Sequence, residues 1–62
     1  MDSFEAVMIA EEGDDDAEKQ LEAWQYLIDT GLCWQLQGWF GRTAEGLIQQ
    51  GKCSRPKDWR AP

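Results

Sequence analysis

The chain has 62 residues, with twelve acidic and six basic side chains, two cysteines and no histidine. That length allows one domain of marginal stability, and the composition allows one disulfide at most and supplies neither the usual general base nor the commonest metal ligand. The formal charge of −6 is unevenly placed, with ten carboxylates against Lys19 alone in residues 1–31 and five cations against two carboxylates in residues 32–62, which argues against direct binding of nucleic acid by the acidic half.

A secretory signal would open with basic residues and an apolar run, whereas Met1-Asp2-Ser3-Phe4-Glu5 is acidic. No apolar stretch approaches the roughly 18 residues of a membrane span. The expectation is a soluble cytoplasmic protein with reduced thiols and no membrane partner. The first helix is predicted over residues 3–12, where Phe4, Val7 and Met8 recur on one helical face. Asp2 or Ser3 caps it, Asp2 with Glu5 has capping-box spacing, and Gly13 ends it. Asp14-Asp15-Asp16 then opens a second helix, with Asp15 and Glu18 spaced as a second capping box. Ala17, Leu21, Trp24 and Ile28, widened by Leu27, form its apolar stripe, and Glu18, Glu22 and Asp29 face solvent. Thr30-Gly31 ends this helix, with Leu32 as the apolar contact of a Schellman end.

Leu32 to Gln37 fits either a short strand or one turn of helix. With no second strand to pair with, a helical turn or ordered connector is predicted. Gly38 and Gly41 bracket Trp39-Phe40. The last helix is predicted over about residues 42–50, begun or capped by Thr43, with Ala44, Leu47 and Ile48 inward and Gly51 as its stop. Gly46 costs about 1 kcal/mol relative to alanine in a helix, and its missing side chain suggests close packing by Trp24 or Trp34. Residues after Cys53 show no apolar period and read as a disordered basic tail. The predicted architecture is thus all-α: a three-helix domain over residues 1–53 with an ordered aromatic connector, then a tail over 54–62. The predicted core is Phe4, Val7, Leu21, Trp24, Leu27, Ile28, Leu36, Leu47 and Ile48.

Each chemical motif has a plain alternative. Cys33 and Cys53 lack the histidines or Cys-x-x-Cys spacing of a zinc site, and read as a buried thiol and a free thiol near the tail. Glu12, Asp14, Asp16 and Glu18 imitate the opening of a calcium loop, but Ala17 replaces its glycine and Ala23 its closing glutamate. No metal or cofactor is expected. Arg42-Thr43 suits an anion at a helix N-terminus, or a salt bridge to the second helix, or stacking of Arg42 on Trp39 or Phe40. The last helix offers Glu45, Gln49 and Gln50 and no cation beyond Arg42, unlike a DNA-recognition helix. Trp34, Trp39 and Phe40 fit two readings equally, an exposed aromatic patch that anchors a partner or three caps on the core.

The runs Tyr26-Leu27-Ile28-Asp29-Thr30-Gly31-Leu32 and Trp34-Gln35-Leu36-Gln37-Gly38-Trp39-Phe40-Gly41-Arg42-Thr43-Ala44, followed by Leu47-Ile48 and Gly51, resemble a family of small proteins of unknown function from tailed bacteriophages. The resemblance covers residues 4–53. It implies a phage gene product acting in the host bacterial cytoplasm, and it brings no activity, catalytic residue or cofactor. The expected function is non-enzymatic: an accessory protein that binds and modulates a host or phage protein in counter-defence or host takeover. Its acidic half would act as a nucleic-acid mimic, as in an anti-CRISPR-type inhibitor. The alternative is a structural role, as a minor virion component or a homo-oligomer that buries the aromatic patch. The residues expected to meet a partner are Asp14, Asp15, Asp16, Glu18, Trp34, Trp39, Phe40 and Arg42.

Overall fold

Asp2 starts the first helix by accepting the backbone N–H of Glu5 at 2.8 Å, one of the donors that a helix N-terminus leaves free. In the computed structural model, which describes residues 1–13 and 15–56, three helices follow in order: α1 over Ser3–Glu12, α2 over Ala17–Thr30 and α3 over Gly38–Gln49. A single 3-10 turn over Leu32–Trp34 separates α2 from α3, and there is no strand among the described residues. The predicted all-α class and the predicted helical turn both hold.

The start of α2 differs from its predicted capping box. The cap is Asp16, which directly precedes the helix and accepts the Glu18 N–H at 3.0 Å. Asp15 is solvent-exposed, and Asp14 lies outside the described residues. Both later helix ends need a left-handed residue. Gly31 has φ 80° and donates to the Ile28 carbonyl at 3.1 Å. Gly51 has φ 78°, and the bonds from Gly51 to Ile48 at 3.0 Å and from Lys52 to Leu47 at 2.9 Å complete a Schellman end.

The largest correction concerns α3, which begins four residues before the predicted start at Arg42. Gly38 and Gly41 read as break points because glycine weakens a helix. Packing overrides that preference. Phe40 must turn inward against Trp24, at a ring-centroid distance of 5.9 Å. Gly41 is where the helix passes the 3-10 turn, since a Cβ there would lie 3.4 Å from Trp34 Cδ1 and 3.6 Å from the Cys33 carbonyl. Gly46 has the opposite surroundings. A Cβ at that position would meet nothing within 4 Å, so neither Trp24 nor Trp34 packs there.

The core comprises Ala6 and Ile9 from α1, Ala23, Trp24, Leu27 and Ile28 from α2, Cys33 from the turn, Phe40 and Ala44 from α3, and Cys53. Of the predicted core, Trp24, Leu27 and Ile28 are buried, and Val7, Leu21, Leu47 and Ile48 are partly buried at its margin. Phe4 and Leu36 are not core residues. Phe4 is 75% exposed and Leu36 36% exposed. In α1 the stripe that faces the protein is Ala6, Ile9 and Ala10, with Val7 at its edge, and it has the same helical spacing as Phe4, Val7 and Met8. The small side chains face inward on this helix, whose main contact is α2, because alanine lets two helix backbones approach closely.

Past Cys53, where the sequence predicts a tail, the chain stays bonded to the helices for a further stretch. The Gln25 side chain accepts from the Ser54 N–H and donates to the Ser54 carbonyl, both at 2.9 Å. Arg55 makes two hydrogen bonds to Glu45, at 2.9 and 2.8 Å. The remainder of the predicted tail, residues 57–62 with Trp59, lies outside the described residues.

Two substitutions test this packing. Trp24→Ala should cost about 3–5 kcal/mol, as for other large buried aromatics, and leave so small a domain largely unfolded. Thermal melting followed by circular dichroism measures this, and a wild-type melt would remove Trp24 from the core. Gly46→Ala should instead raise stability by up to about 1 kcal/mol, because helix propensity improves and no neighbour is crowded.

Candidate functional site

Capping and helix amphipathicity together place the carboxylates of the first half on the outside. Asp2, Glu5, Glu11, Glu12, Asp15, Asp16, Glu18, Glu22 and Asp29 are all exposed. Asp2 and Asp16 cap α1 and α2, so part of this charge lies where the helix dipole favours it. Of the four predicted acidic site residues, Asp15, Asp16 and Glu18 are therefore surface groups near the start of α2. The fourth, Asp14, lies outside the described residues.

The predicted aromatic patch does not form one surface. Phe40 is 3% exposed and belongs to the core beside Trp24, which corrects its assignment to a partner-binding face. Trp39 is partly buried, stacked on Phe40 at 3.9 Å and edge-on to Trp24 at 6.3 Å. Its indole N–H donates to Gln37 Oε1 at 3.2 Å. Trp34, also partly buried, lies instead over Gly41. With Arg42, Leu36, Gln37 and Glu45 it lines a shallow groove of about 500 Å³ along one side of α3. The structure thus brings Trp34 and Arg42 together and turns Trp39 and Phe40 toward α2. The caps-on-the-core reading describes Phe40 fully and the two tryptophans in part.

Arg42 is exposed. Its guanidinium folds back over the first turn of α3, where a Cβ on Gly38 would lie 3.5 Å from Nη1. Arg42-Thr43 does not stand at a helix N-terminus as predicted, because α3 begins at Gly38. The groove carboxylate, Glu45, is held by Arg55. The hydrogen bonds from Arg55 keep the Glu45 carboxyl below its ordinary range, and the Trp34 side chain adds a smaller effect in the same direction.

Both cysteines are free and buried. Burial pushes the Cys33 thiol up to about 11. It also raises the Cys53 thiol, with a further contribution from Asp29. Both are therefore held as thiols at neutral pH and are poor nucleophiles. Cys53, read from the sequence as a free thiol near the tail, is buried because the chain turns back on α2, its Sγ 3.9 Å from the Leu21 carbonyl. Among the described residues no group of three or more potential ligands is placed to hold a metal ion. None of the described helices is long and apolar enough to cross a membrane. The arrangement offers binding surfaces, charged on α1 and the start of α2 and mixed along α3.

Sequence reasoning missed Phe4 and Met8 as surface residues. Both are exposed, and one turn apart they share the outward side of α1. The available signal was the competing stripe of Ala6, Ile9 and Ala10, whose spacing is equally helical.

One ionisation follows from the Glu45–Arg55 pair. Because the folded protein lowers the Glu45 pKa, the stability the pair contributes is complete above the unfolded value of about 4.3 and is lost as pH falls below it. Glu45→Gln should melt below wild type at about pH 7, and the difference should be smaller at about pH 3. An equal difference at both pH values would show that the charge of Glu45 is not what stabilises the contact.

The family described as a domain of unknown function (DUF7417) matches residues 2–59, which span all three helices. The chain belongs to that family. No curated protein and no solved structure matches it.

Proposed function

We propose that this member of a family of unknown function is a non-enzymatic phage accessory protein that binds and modulates a host or phage protein in the host bacterial cytoplasm. The observation that carries the reading is the segregation of exposed carboxylates on α1 and the first turn of α2, with Lys19 the only cation before residue 32. A one-signed surface of this kind attracts a basic partner, speeds encounter and rejects acidic competitors. It suits a protein that occupies a nucleic-acid-binding groove in place of nucleic acid, in counter-defence or host takeover. The phage setting rests on the resemblance carried by residues Tyr26 to Ala44.

Two features support binding over catalysis. Burial keeps both thiols protonated, and the Trp34–Arg42 groove is shallow, unlike the enclosing pockets typical of small-molecule sites. The structural alternative, a virion component or oligomer that buries an aromatic patch, has less support because Phe40 is already in the core.

Replacing Asp15, Asp16 and Glu18 with their amides tests the reading. Asparagine at Asp16 can still cap α2, and exposed charges contribute only fractions of a kcal/mol each, so melting should change little. Affinity for a partner captured from infected host cells should fall with added salt and should be markedly weaker for the amide variant. Arg42→Ala, on the other side of the molecule's charge division, should bind like wild type. Salt-independent binding that the amides leave unchanged would sink the mimic.

A further inference from the structure

α1 turns its largest apolar side chains away from the protein. Phe4 is 75% exposed and Met8 36%, while Ala6 is fully buried and Ile9 nearly so. Phe4 and Met8 share one outward strip of α1, at the i, i+4 spacing by which a helix anchors in an apolar groove. Glu11 continues the strip, and Glu5 and Glu12 flank it, all three exposed. An aromatic exposed on a helix whose other face is satisfied gains nothing from the fold, and such residues are the usual anchors of interfaces.

We propose that the outward face of α1 is the docking surface for a basic amphipathic helix, whose apolar stripe covers Phe4 and Met8 and whose flanking lysines or arginines meet Glu5, Glu11 and Glu12. The inference rests on the reading of the protein as a binder of basic partners and names its anchor. Charge selects this occupant. A second copy of α1 would bring the same carboxylates against each other, and like charges across an interface are costly. A purely apolar groove would leave the flanking carboxylates desolvated and unpaired. A lysine- or arginine-flanked stripe satisfies both parts of the face.

The probe is a synthetic amphipathic peptide of roughly 18 residues, with leucines along one face and lysines beside them. A control peptide carries glutamates in place of the lysines. Fluorescence anisotropy with the full chain should show the lysine peptide binding at least about tenfold more tightly than the control. Phe4→Ser with Met8→Ser should weaken it by about tenfold or more without lowering the melting temperature, because both side chains are exposed. Phe4→Leu should largely retain binding. Glu5→Gln, Glu11→Gln and Glu12→Gln together should abolish the preference for lysine over glutamate. The amide variant at Asp15, Asp16 and Glu18, with the same change in charge, should weaken the lysine peptide far less.

If that last variant weakens binding as much as the α1 amides while the serine variant binds normally, the acidic half still recruits basic partners but α1 is not its anchor, and the inference fails alone. If neither peptide binds and salt has no effect, the broader reading fails with it. A dimer in sedimentation that Phe4→Ser dissolves would assign the face to a second copy. Tighter peptide binding by the full chain carrying Trp59→Ser and Arg60→Glu would assign it to the chain's own basic end. Either result overturns the proposal.

Discussion

Trp24 meets Trp39 edge-on at 6.3 Å and Phe40 at 5.9 Å, and these ring contacts hold α2 to α3. The two helices have little close backbone approach of their own, since α2 makes its main contact with α1 and α3 makes its main contact with the 3-10 turn. Large rings can fill the space between separated helices, which small aliphatic residues cannot do in a chain of this size. The rest of α3 follows from that contact. Phe40 has to face inward, so the helix must already have begun at Gly38. The next residue then passes under Trp34, and Gly41 leaves room for it.

The same arrangement explains why the end of the described chain stays attached. After the left-handed Gly51, the backbone returns across α2 and α3 and buries Cys53. Gln25 then pairs with both backbone groups of Ser54, and Glu45 pairs with Arg55. The Gln25–Ser54 contact spans 29 residues and the Glu45–Arg55 contact ten. Together they supplement a small core in which Trp24 and Phe40 join mostly aliphatic side chains. Glu45 also lines the Trp34–Arg42 groove, so the principal groove of α3 is bounded by a contact that belongs to the fold.

The two halves of the chain differ in what they expose. Trp39 and Phe40 largely serve the core and leave little apolar surface there. Phe4 and Met8 expose apolar surface on α1, among carboxylates. A domain that exposes Phe4 while burying Ala6 sets its strongest available anchor on the helix with the simplest packing. That places exposed charge and exposed apolar side chains on the same helix.

Much of this was legible in the sequence because it depends on local chemistry. Asp2 as a cap, the bounds of α1, the end of α2 at Gly31, the stop at Gly51 and the inward stripe of Trp24, Leu27 and Ile28 all follow from residues within a turn or two of one another. The exposure of Asp15, Asp16 and Glu18 follows likewise, since capping carboxylates lie at helix starts beside solvent. Three things were decided only by tertiary structure. Two helical stripes of equal period compete on α1, and the closeness of α2 selects the small one. Gly38 and Gly41 look like breaks until Phe40 and Trp34 are placed in space. Ser54 and Arg55 look free until the turn after α3 brings them within hydrogen-bonding reach of Gln25 and Glu45. Periodicity and capping depend on neighbours along the chain, whereas the choice between equivalent faces depends on which surfaces meet across it.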